Sequence, residues 1–373
     1  MTSPGLYVHI PLCLAKCGYC NFYSIAAPEL IPRFIPAVIG EMAFYENQFR
    51  NFDTVYFGGG TPSLLHAPSI EVILNAAHKM FGIDRHAEIT LEANPGDLSL
   101  EYLHSLRALG INRLNIGVQS FNDGLLKFLG RRHTSKESLS SFDNARRAGF
   151  HNIGIDLIYA VHGQDIQLWQ RTLKTAASLI PEHLSCYQLT VEPGTPLYLH
   201  YRQENIREPD EDESLTFFTT TSLVLEQHGY DHYEVSNFSL SPSRRSRHNM
   251  KYWEHVPYLG IGPSAHSFSG KKRWWNIANA HDYITEIARS RTVVSQSEEL
   301  SNDQLALETL FLGLRTKDGI DLSKYKIEYG TDLLHDKKKT IEELKKNKLV
   351  EIKEGRLRPT LAGMAVADSL ALI

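Results

Sequence analysis

Short apolar segments alternate with longer segments of helical periodicity through the first half of the chain. The apolar segments predict strands at 6–10, 54–58, 88–93, 113–119, 152–159 and 183–189. Between them, apolar residues recur every three or four positions, which predicts helices at 29–49, 70–80, 100–109, 136–148 and 168–179. This alternation predicts an α/β fold with a parallel sheet, and six such units indicate a partial (β/α)6 barrel of the TIM type.

The pattern changes after the sixth strand. A helix with an acidic first turn is predicted at 210–227, and a strand at 230–238. From about residue 300, amphipathic helices, a hairpin turning at Glu354 and Gly355, and a last helix capped by Thr360 together resemble a winged helix. We therefore divide the chain into a barrel (1–240), an extension (241–299) and a small C-terminal winged-helix-like domain (300–373).

Polar residues and glycines stand at the predicted carboxyl ends of the strands. Three glycines and Thr61 follow the second strand, Glu92 and Gln119 close the next two, and Asp156 lies in the fifth. Chemistry in such barrels sits at these strand ends. The glycines could let backbone approach a ligand, and the carboxylates could accept hydrogen bonds from hydroxyl or amino groups. A tight turn, solvated strand ends and a core amide are the structural alternatives.

Three of the four cysteines fall within eight positions, as Cys13, Cys17 and Cys20 in the spacing C-x3-C-x2-C. Thiolates are soft ligands that suit zinc, copper(I) or iron–sulfur clusters. A structural zinc site needs four closed ligands, and the fourth cysteine, Cys186, lies far along the chain in a predicted buried strand. A [4Fe–4S] cluster held by three cysteines leaves one iron for an exchangeable non-protein ligand. S-adenosylmethionine can occupy that iron, and an electron from the cluster then cleaves its sulfonium to make a carbon radical.

Composition and charge describe an ordinary globular chain. Hydrophobic residues make up 42% and charged residues 22%, and the net charge of −4 argues against nucleic acid as a partner. No run of 18 apolar residues predicts a transmembrane helix, and the first residues lack the features of a signal peptide. With unpaired cysteines, these features predict a cytoplasmic protein. Peripheral contact with a membrane stays open, and the oligomeric state is not predicted.

The segment His248-Asn249-Met250-Lys251-Tyr252-Trp253 combines a histidine with two large aromatic residues. Such a histidine can ligate haem iron while Tyr252 and Trp253 pack against the macrocycle. Core packing is the alternative for the same pattern. His266, in the glycine-rich turn GIGPSAH, is a second candidate ligand.

The cysteine spacing, with Tyr19 directly before the last cysteine, resembles the radical S-adenosylmethionine (SAM) superfamily. The wider pattern YVHIPLC…KCGYCNF resembles its oxygen-independent coproporphyrinogen oxidase group, which includes the HemW haem chaperones. This resemblance implies that S-adenosylmethionine is contacted by residues matching the group's motifs, namely Tyr7, Tyr19, Gly59, Gly60, Thr61, Glu92, Gln119, Arg131 and Asp156. Relatives commonly read DLIYGLPGQ where this chain reads DLIYAVHGQ, so Ala160 and His162 predict a different loop shape there.

Two functions compete within this group. One is a radical enzyme that decarboxylates coproporphyrinogen III to protoporphyrinogen IX, and the other is a chaperone that binds haem and hands it to acceptor apoproteins. The oxidases have a further cysteine at the position of Phe22 and a longer N-terminal extension, which we do not expect here because Tyr7 stands near the start. The HNxxYW motif of the chaperones matches His248, Asn249, Tyr252 and Trp253. These features favour a chaperone that carries haem, a [4Fe–4S] cluster and S-adenosylmethionine, and whether it is also an enzyme stays open. A haem-opening methyltransferase is a third, less favoured interpretation.

Overall fold

The structure, a computed structural model, describes residues 3–203 and 206–370. Its first half contains six parallel strands, each followed by a helix, and neighbouring strands pair in chain order. The predicted partial barrel is thus confirmed. The strands are β1 (Gly5–Ile10), β2 (Phe52–Gly59), β3 (Ile83–Ala93), β4 (Arg113–Gln119), β5 (Ile153–Tyr159) and β6 (His183–Gln188).

Most helices of the barrel begin at a polar residue whose side chain caps the helix. Capping boxes formed by Thr134 with Glu137 and by Asp210 with Glu213 start the fifth and eighth helices. Short 3-10 turns lie at Pro28–Leu30, Pro62–Leu64, Pro95–Asp97 and Pro242–Arg244. The helices are α1 (Ile31–Ala43), α2 (Ala67–Phe81), α3 (Leu100–Ala108), α4 (Asp123–Phe128), α5 (Ser135–Arg147), α6 (Ile166–Ser178), α7 (Pro196–Arg202) and α8 (Glu211–Gln227).

The structure departs most from the predicted elements in two places. The helix predicted at 29–49 ends at Ala43, and turns follow it. The apolar residues Tyr45 and Phe49 in these turns continue the helical sequence pattern, and both pack against Trp274. The single strand predicted at 230–238 is instead a hairpin of β7 (Asp231–Glu234) and β8 (Asn237–Ser239).

The sheet extends beyond the parallel strands at both edges. Strand β8 pairs antiparallel with β6, whereas β9 pairs parallel with β1 on the opposite side. The twelve strands follow the order β12-β11-β10-β9-β1-β2-β3-β4-β5-β6-β8-β7. The added elements are α9 (Arg247–Trp253), β9 (Tyr258–Ile261), β10 (His266–Ser269), β11 (Lys272–Asn276), α10 (Ala280–Ala288) and β12 (Val294–Glu299).

The C-terminal module has its own apolar core around a three-stranded antiparallel sheet, as in a winged helix. The predicted hairpin at 354–355 is present, and Thr360 accepts a hydrogen bond from the N–H of Gly363 as the predicted cap, although the last helix is interrupted at Val366. Its elements are α11 (Asn302–Gly313), β13 (Ile320–Asp321), α12 (Leu322–Tyr329), α13 (Leu333–Asp336), α14 (Lys338–Lys346), β14 (Val350–Lys353), β15 (Arg356–Pro359), α15 (Leu361–Ala365) and α16 (Ala367–Leu370).

Backbone hydrogen bonds join this module to the barrel. The N–H of Val235 donates to the carbonyl of Arg315 at 3.1 Å, and the N–H of Lys317 donates to the carbonyl of Tyr233 at 2.9 Å. These bonds bring the start of the module against the hairpin β7–β8. Over the described residues, we find no helix whose length and hydropathy suit a membrane crossing.

Candidate functional site

All but one of the site residues predicted from the sequence line one cavity of about 830 Å³ inside the barrel. His266, the second candidate haem ligand, lies instead on β10, where its exposed ring stacks on Trp275. The residues on the cavity wall are Tyr7, Cys13, Cys17, Tyr19, Cys20, Gly59, Gly60, Thr61, Glu92, Gln119, Arg131, Asp156, His248, Asn249, Tyr252 and Trp253.

The cysteine loop leaves the carboxyl end of β1 and is closed at its base. The N–H of Ile25 donates to the carbonyl of Pro11 at 2.8 Å, and the N–H of Cys13 donates back to the carbonyl of Ile25 at 2.9 Å. Cys13 is buried, whereas Cys17 and Cys20 are partly exposed to the cavity. Among the described residues, no three side chains of His, Cys, Asp or Glu are grouped as for a single metal ion. The loop thus presents three free thiols at one end of the barrel.

The glycine-rich turn after β2 holds the cysteine loop by its backbone. The N–H groups of Gly60 and Thr61 donate to the carbonyls of Ile10 and Leu12, and the Thr61 hydroxyl donates to Cys13 Sγ at 3.3 Å. A Cβ atom on Gly60 would lie 2.9 Å from both carbonyl oxygens and 3.0 Å from Cys13 Sγ. Only glycine permits this close approach, so the turn and the loop form one unit.

Arg131 places a fixed positive charge beside the cysteines. Its Nη2 donates to Asn94 Oδ1 and to the carbonyl of Gly117, both at 2.8 Å, which orients the guanidinium. Its Nη1 lies 3.5 Å from Cys17 Sγ. A charge-assisted donor at this position suits a thiolate that binds iron.

Two buried carboxyl groups face the cavity next to the glycine-rich turn. Glu92 accepts hydrogen bonds from the Tyr56 hydroxyl at 2.8 Å and from the N–H of Gly59 at 3.1 Å. Burial, and to a lesser extent the charge of Asp156, raises the pKa of Glu92 to about 7. Asp156 accepts from Asn115 Nδ2 at 2.6 Å, and burial raises its pKa also. These carboxyls can accept hydrogen bonds from a ligand, and the roles predicted for them stay predictions.

Several buried polar atoms on the wall have no hydrogen-bond partner among the described residues. They include Gln119 Oε1, Asn94 Nδ2 and Trp253 Nε1. Gln119 is thus not a satisfied core amide, and it adopts a left-handed φ of 67° at the end of β4. An unpaired buried polar group costs about 1–3 kcal/mol. Together with the three thiols, these atoms fit a cavity that holds an iron–sulfur cluster and a polar ligand.

Helix α9 lies at the opposite end of the barrel from the cysteine loop. The backbone N–H of His248 donates to Glu88 Oε1, and its ring nitrogens contact the hydroxyls of Thr54 at 2.8 Å and Tyr252 at 2.9 Å. The ring is buried and stacks on Tyr56. Burial lowers the pKa of His248 to about 3, so the imidazole is neutral. Ligation of iron by Nε2 therefore requires the Tyr252 hydroxyl to move away.

The loop that departs from the relatives keeps a glycine-like backbone. Ala160 has a φ of +58°, which glycine adopts at lower cost. His162 is exposed and stacks on Phe128 at 5.8 Å between ring centroids. The difference in loop shape from the relatives stays a prediction.

Sequence reasoning missed several residues of the wall. Asn94 adjoins Glu92 in the quoted motif LEANP and could have been found there. Others are polar residues inside apolar strands, a pattern that could also have indicated a place on the wall. Arg315 belongs to the C-terminal module and lies in no recognisable motif. The missed polar residues include Asn94, Arg113, Asn115, Ser185, Tyr187, Glu234, Asn237 and Arg315.

Comparisons with known proteins agree with this geometry. A model of the radical SAM superfamily matches residues 7–176, and a model of the HemN C-terminal domain matches residues 300–366. Heme chaperone HemW of Lactococcus lactis is 34% identical over 365 residues, which cover 98% of this chain and 95% of that protein. Heme chaperone HemW of Bacillus subtilis is 33% identical over 332 residues, covering 88% and 87%.

A solved structure has the same fold over the whole chain. Coproporphyrinogen III oxidase (HemN) of Escherichia coli, described as a radical SAM enzyme, matches with a TM-score of 0.85 and 24% identity, covering 99% of this chain and 89% of that chain. Both the barrel and the C-terminal module therefore have counterparts in one known architecture. This match shows the fold, and the sequence relatives show that the chain belongs to the radical SAM superfamily and, within it, to the family of the HemW proteins.

Proposed function

We propose that this chain is a haem chaperone, which binds haem and passes it to haem-requiring acceptor apoproteins. The observation that carries the proposal is the 34% identity to a protein named as a haem chaperone over 98% of the chain. In the same proposal, Cys13, Cys17 and Cys20 hold a [4Fe–4S] cluster, and S-adenosylmethionine occupies its open iron. The protein works in the cytoplasm, where thiols stay reduced.

The residues at the carboxyl end of the barrel would hold these two groups. When bound, the cluster supplies single electrons and S-adenosylmethionine supplies a source of carbon radicals. Thr61 and Arg131 donate hydrogen bonds to cluster thiolates, as they already do to Cys13 and Cys17. Glu92, Asp156 and Gln119 face the same space and would orient the nucleoside and amino acid parts of the ligand.

Haem would enter the part of the cavity bounded by α9. Tyr252 and Trp253 offer aromatic surface to a macrocycle, and Tyr187, which lines the same cavity, is 41% exposed. Phe22, at the position of the additional cysteine of the oxidases, is 70% exposed on the cavity lining. It offers the cavity an apolar ring in place of a thiol, which supports a carrier rather than an oxidase.

The proposal is tested with protein whose cluster has been reconstituted under anaerobic conditions. Titration with haemin, followed by absorbance, should saturate at about one haem per chain. Mixing the loaded protein with a haem-free acceptor such as apomyoglobin should then move the haem spectrum to the acceptor. Haem uptake that never saturates, or haem that stays bound to the loaded protein, would contradict a chaperone.

A further inference from the structure

One part of the cavity, here called the lobe, is bounded by the hairpin β7–β8 and the end of α9. Its wall includes Glu234 and Asn237 of the hairpin and Trp253 at the end of α9. Within the described part of the C-terminal module, Arg315 alone reaches the cavity lining. The lobe is therefore completed by a residue from the second domain.

Contacts from both domains fix the position of Arg315. Its carbonyl accepts the hydrogen bond from the N–H of Val235 that joins the module to the barrel. The guanidinium carbon lies 5.6 Å from the centroid of the Trp253 ring and 5.8 Å from that of Phe311. Attraction between the cation and the two rings holds the guanidinium at the wall.

Arg315 has an ion-pair partner on its solvent side. Its side chain is 20% exposed and pairs with Asp368, whose side chain is 80% exposed, so water screens the aspartate. Glu234 is the nearby buried acid, and its carboxyl accepts hydrogen bonds from Asn237 and the N–H of Ser236. Burial raises the pKa of Glu234, and the charge of Arg315 works in the opposite direction. Arg315 is thus the cationic side chain of the lobe, beside a buried carboxyl group that already accepts hydrogen bonds.

A second donor lies on the same wall. Trp253 Nε1 is buried and has no hydrogen-bond partner among the described residues. An indole N–H beside a guanidinium suits a carboxylate, because each carboxylate oxygen can accept one or two hydrogen bonds. Aromatic surface from Tyr252 and Tyr187 borders the same cavity. The lobe therefore has the chemistry to take a flat apolar ligand that carries a carboxylate.

We infer that Arg315 contacts a propionate carboxylate of haem, so that the C-terminal module completes the haem site. The inference rests on the proposed function. S-adenosylmethionine also has a carboxylate, but that group is needed at the open iron beside the cysteine loop. A haem propionate is not required at the iron and is free to bind Arg315. The planar guanidinium of arginine can donate two parallel hydrogen bonds to one carboxylate.

The test compares two porphyrins on the anaerobically reconstituted protein. Haemin has free propionates, whereas haemin dimethyl ester has none. Arg315→Gln should weaken haemin binding about tenfold and leave binding of the dimethyl ester and of S-adenosylmethionine within about twofold, because one charge-assisted contact is lost. Arg315→Lys should recover part of the loss. Arg289→Gln is the matched control, since Arg289 is exposed on the end of α10 and pairs only locally with Glu286.

Equal weakening for haemin and its ester, or no weakening for haemin, would overturn the inference. So would a loss of S-adenosylmethionine binding in place of haemin binding. Asp368→Asn removes the ion-pair partner of Arg315 and so distinguishes ligand contact from domain docking. We expect haemin affinity to stay equal or to increase. A loss of haemin affinity as large as that of Arg315→Gln would mean that Arg315 acts through domain docking. Failure of the unaltered protein to bind either porphyrin would contradict the proposed function itself, together with the inference.

Discussion

Cys13 differs from the other two cysteines of its loop because it is buried and accepts a hydrogen bond from Thr61. Cys17 and Cys20 are partly exposed, and Cys17 has Arg131 beside it. Cys186 is 2% exposed in β6, and burial raises the pKa of its thiol, as expected of a structural cysteine. At the residue scale, the three cysteines proposed as cluster ligands therefore differ from Cys186, which packs in the core.

Substitution of a ligand cysteine should remove the cluster. Cys13→Ala should lower the iron content after reconstitution from about four per chain to near zero, because two thiolates do not retain a [4Fe–4S] cluster. Iron and sulfide analysis with the visible absorbance measures this. Cys186→Ala is the control and should keep its iron, and equal loss in both variants would show that the loop is not the cluster site.

His248 has both ring nitrogens hydrogen-bonded, so its predicted role as a haem ligand depends on Tyr252. His248→Ala should shift or abolish the Soret band of bound haem and leave the cluster absorbance intact. Tyr252→Phe removes the partner of Nε2 and should leave the Soret position unchanged. A Soret band that survives His248→Ala would move the ligand elsewhere, with His266 the next residue to examine.

At the scale of elements, the glycine-rich turn after β2 and the cysteine loop after β1 act as one unit. Parallel pairing of β1 with β2 brings their carboxyl ends together, with Ile10 opposite Gly59. The backbone bonds of Gly60 and Thr61 then fix the start of the loop. The geometry of the three thiols is consequently set by a neighbouring strand connection as well as by their own spacing.

A methyl group on Gly60 should disturb this unit. Gly60→Ala places a Cβ atom against two carbonyls and Cys13 Sγ, so the reconstituted protein should hold less than about half of its cluster iron. Gly18→Ala lies within the cysteine loop itself, where the added Cβ meets nothing closer than 3.9 Å, and it should keep its iron. The prediction fails if the two variants bind iron equally.

Glu41 links α1 to the added strands through a buried carboxyl. It accepts hydrogen bonds from the Tyr283 hydroxyl, the N–H of Gly262 and Asn276 Nδ2, at 2.5–2.7 Å. Burial raises its pKa from 4.5 to about 7, so the folded state holds a proton that the unfolded chain releases. Its contribution to stability is complete below pH 4.5 and is lost as the pH rises through 7.

Glu41→Gln should expose this pH dependence. Between pH 5 and pH 8 the free energy of unfolding of the unaltered protein should fall by about 3 kcal/mol relative to the variant, which cannot titrate there. Urea titrations at the two pH values measure the difference. Glu46→Gln, on an exposed turn after α1, makes the same substitution at the surface and is the matched control. A difference between the unaltered protein and Glu41→Gln that stays constant with pH would refute the assignment.

Over the whole molecule, one cavity joins the cysteine loop at one end of the barrel to α9 at the other. The alternation of strands and helices predicted the barrel, and the rule about strand carboxyl ends predicted Glu92, Gln119 and Asp156 on one wall. The same rule said nothing of α9, whose His248 contacts Thr54 near the amino end of β2 and Glu88 in the middle of β3.

Other features depend on contacts that no local pattern encodes. The reversal at 235–236 sits in a stretch with strand-like alternation, and it is stabilised by the bond from Val235 to the C-terminal module. The turns after Ala43 have an apolar sequence pattern like that of a helix. The pattern arises because Tyr45 and Phe49 pack against Trp274, which lies more than 200 residues later in the chain. Arg315 reaches the cavity only because the two domains dock.

The central claim is that the cavity carries haem and does not convert a porphyrinogen. The most direct measurement supplies the anaerobically reconstituted protein with S-adenosylmethionine and dithionite, together with either coproporphyrinogen III or haem. Mass spectrometry detects decarboxylated products, and absorbance detects bound haem. We expect no decarboxylation and about one haem per chain. Formation of protoporphyrinogen would contradict the claim and identify the protein as an oxidase despite Phe22.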